Sequence, residues 1–185
     1  MRIFLFAFAI LLGVTTGLRD AHAGGHVYLL KGLANIFSTG LDGLDEKLTK
    51  RGIKSSVHNH AEAASLAEGA ARLQKAGKGP IVIVGHSLGA GAAIDMADRM
   101  KELGATVALI VTFGANGEMT VPSNVRRVIN YYQGGAVATG GPGFKGSISN
   151  INLDNNTEIN HLNIEKNSRL HSAVIPKIQA AVQGF

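Results

Sequence analysis

Residues 81–89 limit the fold more tightly than any other stretch of the chain. Four β-branched residues in a row, Ile81-Val82-Ile83-Val84, lead straight into Gly85-His86-Ser87-Leu88-Gly89 and a series of small residues, Ala90, Gly91, Ala92 and Ala93. A strand that is apolar at every position has both faces covered, which is the condition of a parallel sheet packed between helical layers. Glycines on either side of Ser87 permit a sharp turn there, and the small residues beyond let a following helix lie close to the sheet. From Leu88 to Leu103, Asp95, Asp98, Arg99 and Lys101 punctuate apolar side chains, the pattern of an amphipathic helix that stops at Gly104.

The rest of the chain repeats this alternation of strand and helix. His26–Leu30 reads as a buried strand turning at Lys31-Gly32, and Leu41, Leu44 and Leu48 keep helical spacing between a Ser38 or Thr39 cap and the Arg51-Gly52 stop. Ile53–His58 reads as a strand, Ala61–Lys75 as a helix broken by Gly77-Lys78-Gly79-Pro80, and Ala105–Phe113 and Val125–Tyr132 as two more buried strands. Gly134–Ser147 carries six Gly and one Pro, which predicts an irregular, mobile loop. Ser147–Leu153 reads as the last strand, bulged near Ser149 because Ile148 falls out of phase with Ile151 and Leu153. Asn167 or Ser168 caps a final helix in which Leu170, Val174, Ile178 and Val182 recur every four residues. Pro176 inside that pattern predicts a kink, or a start delayed until after Ser172. The expected fold class is α/β, a three-layer sandwich whose mainly parallel sheet of about six strands carries helices on both faces.

A chain of 185 residues with 45% hydrophobic positions buries one core, so one domain is expected. The formal charge of +5 is spread out, the longest basic runs being Lys50-Arg51 and Arg126-Arg127, so no nucleic-acid partner is expected. Zero Cys removes disulfides, thiolate metal sites and a Cys nucleophile. His58 and His60 stand one residue apart but lack an evident third ligand, so neither a metal nor another cofactor is expected.

Met1-Arg2, the apolar run Ile3–Val14 and the small residues of Ala21-His22-Ala23 read as a secretory signal peptide over residues 1–23, cut after Ala23. Residues 24–185 then form the mature domain, secreted or periplasmic. An apolar run of about twelve residues falls short of the ~20 that cross a hydrocarbon core, so no stable span is expected after processing; the alternative is an uncleaved anchor.

Gly85-His86-Ser87-Leu88-Gly89, placed between a strand and a helix, has the context of a nucleophile elbow, a strained turn that lifts a hydroxyl above the sheet. The bland alternative is an ordinary turn whose Ser caps the helix. The unpaired N–H groups at the helix start, that of Leu88 among them, point to where negative charge develops on an attacked carbonyl. A Ser hydroxyl needs an imidazole to take its proton, and two histidines follow: His161 after the last strand, and His171 beside Leu170 and Val174 at the start of the final helix, where it reads more simply as structural. His86 adjoins Ser87 and reads as packing or substrate shaping.

Through Gly-His-Ser-Leu-Gly-Ala, and through the order of elements from Tyr28 to Val182, the chain resembles the α/β-hydrolase superfamily, in particular its small secreted lipases and thioesterase-like members. The resemblance implies Ser87 as nucleophile, His161 as base on the loop after the last strand, and an acid between them in chain order. It usually sets that acid after the strand Val125–Tyr132, where Gln133-Gly134-Gly135 offers no carboxylate. Asp154 is the tentative acid, though beside Asn155 and Asn156 it reads equally as a turn residue; Glu118 and Glu165 are alternatives, and a Ser-His dyad oriented by a backbone carbonyl stays open. A second oxyanion N–H is implied after the first strand, at Leu33, beside a Lys31 that either attracts an anionic group or is simply solvated. The implied activity is hydrolysis of a small-molecule carboxylic ester or thioester through an acyl-enzyme. The rivals are a non-catalytic binder of an apolar ligand on the same fold and an acyltransferase using the same residues. Ala34–Thr39 and Gly134–Ser147 are expected to wall an open site.

Overall fold

A computed structural model describes residues 24–33 and 39–184 of the chain. The expected signal segment 1–23 and nearly all of the expected wall 34–39 lie outside the described residues.

The first βα unit consists of β1 (His26–Lys31) and α1 (Thr39–Thr49), and the second of β2 (Lys54–Asn59) and α2 (Ala63–Lys75). Then come β3 (Ile81–His86), α3 (Leu88–Glu102), β4 (Leu109–Phe113), β5 (Met119–Val121), β6 (Arg127–Tyr132), β7 (Ala138–Gly140), β8 (Ser147–Asn152) and α4 (Ser168–Val182). Six strands pair in the order β2-β1-β3-β4-β6-β8, and every pairing is parallel. The alternation of side chains divides the apolar residues into two layers. Tyr28, Leu30, Ile81, Ile83, Ile110 and Val128 pack under the small residues of α2 and α3, while Val27, Leu29, Val82, Val84, Val111 and Ile129 pack under α1 and α4. This is the three-layer sandwich that the unbroken Ile81–Val84 run requires.

The chain reverses its direction of travel across the sheet between β1 and β3. Ligands in open parallel sheets bind outside the carboxyl ends of the strands at such a reversal, because the connections diverge there and leave a crevice. Gly32 follows β1 and Ser87 follows β3, so the fold itself selects this place.

Four expectations change. The Gly-rich segment is not irregular throughout, because β7 lies within it and pairs in parallel with β5. A polar ladder that runs from the buried Thr112 and Asn130 out to the exposed Asn150 fixes it: Thr112 Oγ1 donates to Asn130 Oδ1 at 2.8 Å, and Asn130 Nδ2 donates to Asn150 Oδ1 at 2.9 Å and to the Ala136 carbonyl at 2.8 Å. Asn150 in turn accepts from Ala138 N and donates to the Ala138 carbonyl, both at 2.9 Å. Second, β8 carries no bulge, since its register with β6 is continuous from Ser147 to Asn152. Ile148 is out of phase with Ile151 and Leu153 because it packs on the opposite apolar layer. Third, α4 begins at Ser168 despite Pro176. Asn167 Oδ1 accepts from Arg169 N and Leu170 N, and the missing N–H of Pro176 deprives only the exposed Ser172 end of its partner while Val174, Ile175 and Ile178 bury the other face. Burial of those side chains offsets the roughly 3 kcal/mol that an interior proline costs. Fourth, the expected Ala105–Phe113 strand forms only from Leu109, with Val107 making an isolated bridge to Val125.

Candidate active site

Ser87 has φ 56° and ψ −121°, and it is the one non-glycine residue with positive φ among those described. Such backbone strain costs about 1–3 kcal/mol and persists only where the surroundings enforce it. Three glycines do so. A Cβ on Gly85 would run into the carbonyl of Gly89, and a Cβ on Gly89 into the carbonyl of Leu30. A Cβ on Gly32 would stand 2.9 Å from Ser87 Cβ and 3.1 Å from the His86 carbonyl oxygen. The start of α3 is thus pressed against the ends of β1 and β3. The Ser87 side chain makes no capping bond to α3, so its hydroxyl is not used as an ordinary helix cap.

That hydroxyl lies 3.0 Å from His161 Nε2 and 3.3 Å from Asn116 Oδ1. His161 is exposed and arrives on the connection between β8 and α4, residues 153–167, which is held by hydrogen bonds and by one short 3-10 turn, Ile164–Lys166. Gln133 Nε2 donates to the Ile159 carbonyl at 3.0 Å, Asn163 Oδ1 accepts from Asn160 N at 2.8 Å, and Asn160 Oδ1 accepts from Leu162 N at 2.9 Å. Ile159 and Ile164 are buried on either side of the histidine. Gly114, at φ +56°, leaves room for the ring: a Cβ there would lie 3.2 Å from His161 Nδ1.

His86 supplies the remaining support. It is buried, its Nε2–H donates to the His161 carbonyl at 3.0 Å, and the two rings lie 5.3 Å apart. Burial, more than its other surroundings, holds the His86 imidazole below its ordinary pKa, with the His161 bond opposing and the charges of His161 and Lys166 adding to the depression. The elbow residue next to the serine therefore positions the loop that carries the partner histidine. The sequence reading as packing covers part of this role; the bond across 75 residues has no sequence signal.

His171 is placed elsewhere. It is buried, with Nε2–H donating to the Glu165 carbonyl at 2.7 Å and Nδ1 accepting from Lys47 Nζ at 2.9 Å, so it ties α4 to α1 and the preceding loop. Of the two histidines that follow the elbow, the structure brings only His161 to Ser87.

The carboxylates do not gather around His161. Asp154 Oδ1 accepts from Gly134 N at 2.8 Å, and Asp154 N donates to Asn152 Oδ1 at 2.7 Å, so the tentative acid is an exposed turn residue that fastens the segment after β6 to the end of β8. The pairing of Asp154 with His161 is absent because the loop beyond Asn156 carries the imidazole over Gly114. Glu118 is exposed just before β5. Glu165 is fully buried beside Gly40 at the start of α1, and burial pushes its carboxyl up to about 7 against the pull of Lys166 and of the Gly40 and Leu41 N–H groups. Among the described residues no ion pair or hydrogen bond joins a carboxylate to His161. Asn116 Oδ1 accepts from the Ser87 hydroxyl instead, a contact that sequence reasoning missed because a lone Asn in Gly114-Ala115-Asn116-Gly117 reads as turn chemistry.

Leu88 opens α3 and has no carbonyl four residues back within the helix, which leaves its N–H free to face charge at the elbow. Leu33 follows Gly32, which packs against Ser87. The Lys31 ammonium pairs with Asp42 at 2.7 Å. His58 and His60 do not converge, since His58 Nε2 bonds Ser56 Oγ at 2.8 Å and its Nδ1 lies 3.5 Å from Glu62. No group of three or more His, Cys, Asp or Glu able to hold a metal occurs among the described residues.

The geometry agrees with comparison to known proteins. A family described as Thioesterase domain matches residues 46–128, just under half of the chain, and that span contains the elbow. No curated protein matches significantly. Among solved structures, the esterase domain of a Rhodothermus marinus protein superposes with a TM-score of 0.51 at 15% identity, over 88% of this chain and 87% of that one. A protein of the α/β hydrolase superfamily from Xanthomonas campestris pv. campestris gives 0.48 at 12% identity, over 87% and 99%. The six-stranded parallel sheet between helical layers, with the strained turn at Ser87, is a fold of the α/β-hydrolase type. Over residues 46–128 the chain is similar to the Thioesterase domain.

Proposed function

We propose that the protein is a serine hydrolase that cleaves a carboxylic ester or thioester through an acyl-enzyme on Ser87. The observation that carries this reading is the 3.0 Å contact between Ser87 Oγ, on a strained turn, and His161 Nε2. In the first half-reaction His161 Nε2 takes the hydroxyl proton as Ser87 Oγ bonds to the carbonyl carbon. The N–H groups of Leu88 and Leu33 stabilise the oxyanion, a contribution of about 3 kcal/mol per donor in studied enzymes. The bond from carbon to the alcohol oxygen or thiol sulfur then breaks, and His161 returns the proton to that leaving group. Water repeats the cycle: His161 takes its proton, the hydroxide bonds to the acyl carbon, and Ser87 Oγ leaves with the proton back.

Asn116 Oδ1 is a second acceptor for the single Ser87 hydroxyl proton, at 3.3 Å against 3.0 Å to His161 Nε2, so the hydroxyl turns from the amide to the imidazole when the proton is taken. The His86 bond holds the backbone that carries the imidazole, and Gly114 leaves the ring its space. The large apolar side chains that stay exposed among the described residues are Leu33, Leu88 and Leu162, which directly follow Gly32, Ser87 and His161. Their placement favours an apolar acyl group. We further propose export with cleavage after Ala23; Gly25 N donates to the Val182 carbonyl at 2.9 Å, which would tie the start of the mature chain to the end of α4.

Turnover of a graded series of acyl esters and acyl thioesters tests the reading. Wild type releases free acid, and Ser87→Ala does not. A folded wild type inert toward the whole series would favour the binding role, and transfer of the acyl group to added alcohols in preference to water would favour an acyltransferase.

A further inference from the structure

Away from the elbow, α1 and α4 enclose a groove of about 460 Å³ lined by Lys47, Arg51, Ser168 and Ser172 over an apolar floor that includes Ile175 and Pro176. Neither cation hangs free as surface lysines and arginines usually do. His171 spends its Nε2–H on the Glu165 carbonyl, so its Nδ1 carries a lone pair, and Lys47 Nζ donates to that lone pair at 2.9 Å. A neutral imidazole takes one of the three ammonium hydrogens and none of the charge. Arg51 Nη1 is likewise anchored, donating to the Lys47 carbonyl at 2.8 Å. Lys31, Lys50, Arg99, Lys166 and Arg169 all face carboxylates, whereas Lys47 and Arg51 form no ion pair among the described residues, and no carboxylate lines the groove.

Two cations each held by a hydrogen bond, with their other donors unspent and two hydroxyls beside them, make a concave positive site in which part of the ordering cost is already met. A lone carboxylate has too few acceptor positions for so many donors. A tetrahedral phosphate has enough, and it suits both the flat fork of Arg51 and the point charge of Lys47. We propose that this groove binds the phosphate group of a phosphorylated ligand, with Lys47 and Arg51 as its anchors and Ser168 and Ser172 as hydroxyl donors. The site is separate from Ser87 and does not depend on the reaction proposed there.

Calorimetric titration of the full chain with inorganic phosphate and with pyrophosphate tests the site, alongside co-sedimentation with phosphatidylcholine vesicles containing phosphatidylglycerol. Wild type is expected to bind at least one of these saturably, more weakly as salt rises, and Ser87→Ala is expected to bind as well as wild type. Arg51→Gln should weaken binding at least roughly tenfold, because it removes one charged partner. Lys47→Gln should do the same; since Lys47 also supports His171, Arg51→Gln carries the test if that variant unfolds. Binding of the free anions assigns the phosphate to a soluble ligand, and binding of vesicles alone, lost in Arg51→Gln, assigns it to a lipid headgroup. No binding of any probe by wild type, or equal binding by wild type and Arg51→Gln, would overturn the proposal.

Discussion

His161 and His171 stand ten residues apart, on the same stretch of chain, and the protein treats them in opposite ways. His161 is exposed, and its Nε2 meets a hydroxyl on a strained turn. His171 is 2% exposed, and both of its nitrogens are committed, one to a carbonyl and one to an ammonium. An imidazole whose two nitrogens have fixed partners has no proton to trade, while one with a free path to a nucleophile does. Accessibility and partner type, more than position in the sequence, separate a reacting histidine from a structural one.

The largest effect that sharpens this contrast is on turnover. His161→Ala should lower kcat by about a thousandfold or more in a protein of unchanged melting temperature, since the other members of the site give only residual rate. His171→Ala should instead lose about 2–3 kcal/mol of stability, by leaving the Glu165 carbonyl and Lys47 without their partner, and keep most of its kcat when folded. Chemical denaturation and steady-state kinetics on both variants read the two losses separately, and equal kinetic losses in two well-folded variants would erase the contrast. Gly32→Ala comes next. Its methyl would press on Ser87 Cβ and the His86 carbonyl, both backbone-fixed, so kcat should fall at least about a hundredfold, in line with the cost of a misplaced reacting group. His86→Phe keeps the ring volume but drops the bond to the His161 carbonyl, and a loss of about tenfold to a hundredfold in kcat with little change in KM is expected.

The smallest effect is on the pH dependence of stability. Burial, and secondarily Lys47, depresses the His171 pKa, so the unfolded chain takes up a proton there that the folded chain refuses. Its contribution to stability is complete above the ordinary histidine pKa and declines as pH falls below it. Glu165 works the other way: its folded carboxyl is raised to about 7, so stability declines as pH rises from the ordinary carboxyl range through that value. Glu165→Gln should therefore raise the melting temperature at about pH 8 and leave it nearly unchanged at about pH 4. A variant that gained equally at both would show that the Glu165 charge is not the cause.

Much of this was legible in the sequence, for reasons that also explain the gaps. The Ile81–Val84 run and the glycines around Ser87 are local features, and a buried parallel strand ending in a strained turn admits few other compositions. His161 was legible as the partner through chain order. Asp154 was not, because whether a carboxylate reaches an imidazole depends on the path of a loop, and Asn152, Asp154 and Asn156 are equally good turn residues. The role of Asn150 in pinning the Gly-rich segment was invisible for a related reason: an Asn within a strand advertises no partner, although its amide here replaces a missing strand bond at Ala138. Pro176 misled because helix propensity weighs about 3 kcal/mol against it, while the packing of Val174, Ile175 and Ile178 is a tertiary gain that no local rule counts.

Intact-protein mass after exposure to a fluorophosphonate probes the central claim most directly, because the reagent bonds only to a hydroxyl whose proton is being taken. A single adduct on wild type and on His171→Ala, none on Ser87→Ala, and a greatly slowed adduct on His161→Ala is the result expected. A folded wild type that stays unlabelled, or a His161→Ala variant that labels as fast as wild type, would contradict the account.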